Sequence, residues 1–166
     1  MTIAPSNQPE PGHGLPTGAG GTRVVGGTVV VGVDGSEASL DALRWAYRQA
    51  QLTGAHLRAV MSWDVPATVY WYPFPEGMDF QTATEEALEK ALHGTLGDNP
   101  AVPITSVVVE GHPALVLIEE AEGADLLVVG SRGHGEFSGM LLGSVSEHCV
   151  TQANCPVVVV RTKRPA

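Results

Sequence analysis

Ala124-Asp125-Leu126-Leu127-Val128-Val129-Gly130-Ser131-Arg132-Gly133-His134-Gly135-Glu136-Phe137-Ser138-Gly139-Met140-Leu141-Leu142-Gly143-Ser144-Val145-Ser146 decides how the chain folds. Ala124 to Val129 is an apolar run that reads as a buried strand. Glycines then recur at 130, 133, 135, 139 and 143, interleaved with Ser131, Ser138, Ser144 and Ser146, and a helix pattern follows. A strand, a glycine-rich loop and a helix start are how backbone N–H groups come to point at an anion. Glycine adds close approach of a ligand to the main chain. The stretch predicts a seat for a phosphorylated small molecule.

Working outward, strand and helix signals alternate. Thr28 to Val33 is β-branched on both faces, the pattern of a central parallel strand. Ser36 is a candidate N-cap, with Ser39 a second. Leu40, Leu43, Tyr47 and Ala50 keep helical spacing to a stop at Gly54. His56 to Trp63 reads as a second strand. A second helix is expected from Thr82 or Thr84 to Gly94 or Gly97, with Leu88, Ala91 and Leu92 on one face. Ile104 to Val109 is a third strand. Pro113 opens a third helix at a position that tolerates its missing N–H, with Leu115, Ile118 and Ala121 inward. The fourth helix is expected from Leu141–Gly143 to Ala153, and Pro156 to Arg161 is the fifth strand. Alternation of this kind implies βαβ crossovers and a parallel sheet covered by helices on both faces. The strand order is not set by this pattern.

Three stretches together carry a family resemblance. Gly130, two residues, Gly133, nine residues, then Gly143-Ser144 resembles the nucleotide-binding signature of the ATP-binding universal stress proteins. Val29-Val-Val-Gly-Val-Asp34-Gly-Ser36 resembles the family's first strand and its acidic end, and Asn154-Cys-Pro-Val-Val-Val-Val160 its last strand. The resemblance covers roughly residues 27 to 162. It implies an α/β fold: an open five-stranded parallel sheet, order 3-2-1-4-5, Rossmann-like and similar to the adenine nucleotide α-hydrolases. That order would set strands 1 and 4 side by side. Asp34 and Gly130 would then meet at the switch point, where such sheets bind ligands.

The same resemblance suggests roles. Gly130 and Gly133 would fold the loop around ribose and phosphate. Gly143, Ser144, Val145 and Ser146 would present N–H groups and hydroxyls to the phosphates. Asp34 would contact the adenosine, and the backbone near Ser62 the adenine edge. The plain alternatives are a turn residue for Asp34 and an N-cap for Ser144. Arg132, the one basic residue of the loop, is either a phosphate contact or a solvated charge, and His134 reads as a loop residue in water. The implied ligand is ATP or another adenine nucleotide, with Mg2+ arriving on the phosphates rather than through protein ligands. His13, His56, His93, His112 and His148 show no metal-ligand spacing.

Composition bounds the rest. A hydrophobic fraction of 43% in 166 residues supports one packed domain. A net charge of −9 argues against nucleic acid and anionic membranes as partners. Cys149 and Cys155 form no CxxC motif and read as small buried groups, which fits a cytoplasmic setting. Residues 1–24 read as a flexible Pro/Gly-rich tail, or else a docking segment, with neither a signal peptide nor a membrane span. Residues 25–166 read as the nucleotide-binding domain. Between Asp64 and Phe80, the aromatics Tyr70, Trp71, Tyr72, Phe74 and Phe80 lie among prolines that forbid a continuous helix, and read as a packed flap or a lid. The last strand, Val157 to Val160, would lie at a sheet edge, and the resemblance implies a homodimer through it.

The loop lacks a Walker A lysine, and there is no nucleophile elbow. The expected role is therefore a regulatory stress protein that binds ATP and hydrolyses it slowly at most, with no catalytic residue assigned. The alternatives are a signalling module for AMP or cyclic AMP, a true nucleotide-hydrolysing or nucleotide-transferring enzyme, and a partner-binding protein whose nucleotide site is vestigial.

Overall fold

The computed structural model describes residues 26–64, 79–133 and 142–162. The tail, most of the aromatic loop, and His134 with the glycines at 135 and 139 lie outside these residues.

Among the described residues, five parallel strands and four helices alternate: β1 (Thr28–Gly32), α1 (Glu37–Thr53), β2 (His56–Trp63), α2 (Phe80–Leu96), β3 (Ile104–Glu110), α3 (Pro113–Glu120), β4 (Leu126–Gly130), α4 (Ser144–Gln152) and β5 (Val157–Val160). The sheet order is β3-β2-β1-β4-β5, the order the resemblance implied. The central strand β1 pairs Val30 with Arg58 on one side and with Leu127 on the other. β5 occupies one edge and pairs Val157 with Leu127.

The strand period of two divides the core. Val29, Val31, Leu57, Ala59, Met61 and Val128 face α1 and α2, meeting Ala42, Leu43, Ala46, Leu88 and Leu92. Val30, Val60, Leu127 and Val129 face α3 and α4, meeting Val116, Leu117 and Cys149. This is why β1 reads as apolar on both faces. Val30 and Val31 are fully buried on opposite faces, each stabilising the fold by about 1.5–3 kcal/mol relative to an exposed position.

Helix boundaries follow caps. Ser36 caps α1, its hydroxyl accepting from Ser39 N, and Gly54 ends it in the left-handed region at φ 67°. Leu40 and Tyr47 are only half-buried on this helix, and Ala42 and Ala46 fill the closest approach to the sheet. The second helix starts earlier than its threonines suggested. Asp79 is the N-cap, accepting from Thr82 N at 3.0 Å and from the Thr82 hydroxyl at 2.7 Å. These two bonds hold its carboxyl below the usual carboxylate range. Phe80, expected in the loop, is instead the first residue of α2 and stacks on Trp63 with ring centres 6.2 Å apart.

In α3 the inward residues are Ala114, Val116 and Leu117. Leu115, expected inward, is 55% exposed. The helix begins at Pro113 as expected; Ile118 is half-buried, and Ala121, just past the helix, is buried as expected. Strand ends also shift: β1 stops at Gly32, β3 gains Glu110, and β4 runs from Leu126 to Gly130. Both cysteines are free, Cys149 buried and Cys155 half-buried. Burial pushes the Cys149 thiol up to about 11 and that of Cys155 up as well. No helix among the described residues is long and apolar enough to cross a membrane.

Candidate functional site

The carboxyl ends of β1 and β4 are neighbours, and the chain leaves them in different directions. After β1, Val33 N donates to Val60 O at 2.9 Å, and the chain then turns through Gly35 at φ 82° into α1. Asp34 sits at the head of this turn, exposed. Its Oδ1 accepts from Ser36 N at 2.9 Å and from Ser36 Oγ at 2.5 Å. Asp34 N in turn donates to Ser39 Oγ at 3.2 Å, and Ser39 Oγ donates to Ser36 O at 2.9 Å. Asp34 is thus a turn residue in the sense the sequence allowed, and its second oxygen points elsewhere. A methyl group on Gly133 would run into that oxygen, Oδ2. The acidic turn after β1 and the glycine loop after β4, roughly a hundred residues apart in the chain, are in contact.

Gly130 explains why the loop leaves β4 where it does. A Cβ there would lie 2.8 Å from the carbonyl carbon and 2.9 Å from the oxygen of Ala38, and 3.0 Å from Ser39 N. The end of β4 is pressed against the first turn of α1, and only a residue without a side chain fits. Ser131 then ties the loop down. Its N–H donates to Val160 O at 2.7 Å, and its carbonyl accepts from Gly143 N at 2.8 Å. The loop that opens after Ser131 therefore closes at Gly143.

Gly143 is the N-cap of α4, in extended conformation, and Ser144 is the first helical residue. This overturns the plain alternative of Ser144 as the cap. The first intrahelical bond runs from Glu147 N to Gly143 O at 2.9 Å. The amides of Ser144, Val145 and Ser146 precede that ladder, where helix N–H groups have no intrahelical acceptor. The Ser146 hydroxyl departs from its expected role. It is 3% exposed and donates to Gly130 O at 2.6 Å. Its O–H braces α4 against the end of β4 and is not offered to a ligand. Ser144 and Arg132 are exposed, and Val145 is half-buried against the α3/α4 core.

Ser62 lies near the carboxyl end of β2, opposite Val109 of β3 and next to Trp63. It is half-buried, on the far side of β1 from the glycine loop. The structure thus brings Asp34, Gly130, Gly133, Gly143 and the first turn of α4 together, with Ser62 on the strand beyond β1. Two residues with structural parts were under-read: Ser39, which takes the Asp34 amide, and Ser131, which pins the loop at both ends. The Gly-Ser-Arg-Gly spacing flagged the second, and nothing in the local pattern separated Ser39 from an ordinary cap.

Among the described residues, no group of three or more His, Cys, Asp or Glu could hold a metal ion. Two open grooves of about 280 and 340 Å³ lie elsewhere, between α2 and β3. Glu85 and Glu89 line the first of them, which disfavours an anionic ligand there.

A doubly wound parallel sheet, with a glycine loop closed by a helix start and set against an acidic turn, defines a class. It comprises α/β domains with a crevice at the carboxyl ends of their inner strands. Within that class the chain belongs to the universal stress protein family, whose model matches residues 27–161. Universal stress protein Rv2623 of Mycobacterium tuberculosis (strain ATCC 25618 / H37Rv) is 40% identical over 136 residues, covering 80% of this chain and 44% of the relative. The chain spans less than half the length of that relative. Among solved structures, hypothetical protein MJ0577 superposes with a TM-score of 0.69 at 24% identity, over 86% of this chain and 100% of that one. A universal stress protein in complex with cAMP superposes with a TM-score of 0.56 at 30% identity, over 84% and 99%.

Proposed function

We propose that the domain binds an adenine nucleotide, ATP above all, between the ends of β1 and β4 and acts as a regulatory stress protein rather than a fast enzyme. The observation that carries this reading is the contact of Gly133 with the Asp34 carboxylate beside the start of α4. One wall of the crevice accepts hydrogen bonds, as ribose hydroxyls require. The other offers the amides of Ser144, Val145 and Ser146 and the partial positive charge of a helix N-terminus to phosphate oxygens. Gly130 and Gly143 carry no side chain at the two ends of the loop, and Arg132 supplies a cation at the phosphate end. Ser62 marks the strand on which the base edge would lie. Mg2+ enters on the phosphate oxygens. The spacing Gly130-x2-Gly133-x9-Gly143-Ser144 supports ATP. The relative in complex with cAMP, at 30% identity, supports a second reading, a sensor of AMP or cyclic AMP. The edge position of β5 supports a homodimer through Val157–Val160.

The glycine loop carries no Walker A lysine to stabilise charge on a transferred phosphate. Phosphate release from ATP is therefore expected well below about 1 per second, the slow end of ordinary enzymes. Calorimetry with ATP, AMP and cyclic AMP in parallel tests the binding. Gly133→Ala pushes the Asp34 carboxylate out of place and should weaken the best ligand at least about tenfold, or roughly 1.4 kcal/mol. Absence of binding by all three, or equal affinity in the variant, refutes the assignment.

A further inference from the structure

His112 and His148 face each other across the α3/α4 surface, one turn along α4 from Ser144. Their ring centres are 6.4 Å apart and the planes are tilted by 58°. His112 is the N-cap residue of α3, yet its side chain makes no capping bond. His148 lies in the second turn of α4, where side chains lean toward the helix N-terminus. Its Nδ1 sits 2.8 Å from Ser144 O. A carbonyl oxygen only accepts, so Nδ1 carries the hydrogen, and in the neutral ring Nε2 keeps its lone pair. This backbone bond is the arrangement that fixes the tautomer and orientation of metal-binding histidines.

We infer that His112 and His148 form a two-imidazole seat for a zinc-class divalent cation that bridges α3 and α4. A cation bonded to a ring nitrogen at about 2.1 Å lies about 3 Å from the ring centre, so two rings that share it have centres about 5–6 Å apart. Closing from 6.4 Å takes a small rotation of the exposed His112 ring, which no capping bond restrains. Imidazole nitrogens select zinc, copper and nickel over magnesium and calcium. With two protein ligands and water at the other positions, the site is open and exchangeable, unlike a closed structural zinc site. The other described histidines are differently engaged: His56 Nε2 is 2.7 Å from Thr105 Oγ1, and His93 pairs with Asp98.

The test uses the full chain with zinc alone, in a non-coordinating buffer and without nucleotide. Calorimetry is run on the parent and on His112→Gln, His148→Gln and His56→Gln. The proposal expects one saturable site that weakens about tenfold or more in each of the first two variants, as loss of metal-site groups does, and is unchanged in the third. Electron paramagnetic resonance with copper should show two imidazole nitrogens in the parent and one in either variant. Both residues are exposed, so the variants should melt with the parent when metal is absent. Absence of saturable binding overturns the bridge, as does binding that survives both substitutions or depends on only one histidine.

Discussion

Gly130→Ala is the substitution whose effect follows most directly from the structure. The new methyl carbon would stand 2.8 Å from Ala38 C, 2.9 Å from Ala38 O and 3.0 Å from Ser39 N. All three are backbone atoms of the first turn of α1, so no rotamer change relieves the overlap. β4 and α1 must separate by about 0.5 Å, in the range where overpacking costs about 1–3 kcal/mol. Gly130 O also receives the Ser146 hydroxyl at 2.6 Å, so the shift strains α4 as well. For a domain of this size each kcal/mol moves the melting temperature by about 2–4 °C. The expected loss is therefore about 2–12 °C by thermal denaturation, together with loss of adenine-nucleotide binding. Gly32→Ala is the matched control. The atoms nearest its methyl would be those of the Leu117 side chain, whose ends, at 2.8 and 3.1 Å, can turn aside where backbone cannot. If Gly130→Ala melts with the parent, or no lower than Gly32→Ala, the claim that β4 is jammed against α1 is wrong.

The remaining predictions concern the helices and the thiols. Gly94 lies inside α2, and a methyl group added there would have nothing within 4 Å, so Gly94→Ala should raise stability by up to about 1 kcal/mol in urea unfolding. The Asp79 cap should act through its charge. A carboxyl held below its usual range in the fold contributes stability above the unfolded-state value and loses it as pH falls through the folded one. The melting gap between parent and Asp79→Ala should therefore be present at neutral pH and close in acid. Cys149, with its thiol raised to about 11 by burial, should resist an aromatic disulfide reagent in the native protein and react promptly on unfolding. Native-state labelling as fast as in the unfolded chain would contradict its burial.

Much of the fold is legible in the chain itself, because the strongest signals are local. The valine run of β1, the caps at Ser36 and Gly54, and Pro113 at a helix start each announce their element within a few residues. The strand order is different. It came from resemblance, since parallel neighbours are chosen by contacts between segments far apart in sequence. The misread features have separate causes. Asp79 outcompetes Thr82 and Thr84 as a cap because its carboxylate takes both the amide and the hydroxyl of Thr82. Leu115 reads as inward because a short helix holds too few turns to fix its phase. At the candidate site, Asp34 and the glycine spacing are visible in sequence. The brace from Ser146 to Gly130 is not, because nothing local distinguishes a hydroxyl that serves a ligand from one that serves the backbone.

Two bonds close the gap between β4 and α4: Gly143 N to Ser131 O, and Ser146 Oγ to Gly130 O. Chain closure there is borne by the scaffold and not by whatever occupies the crevice. Lengthening a closed segment adds free energy only logarithmically, about 0.6 kcal/mol per doubling. Insertions between positions 134 and 141 should therefore leave folding nearly intact while altering what the crevice admits. Descendants of this scaffold could vary that span and change ligand without having to rebuild the sheet.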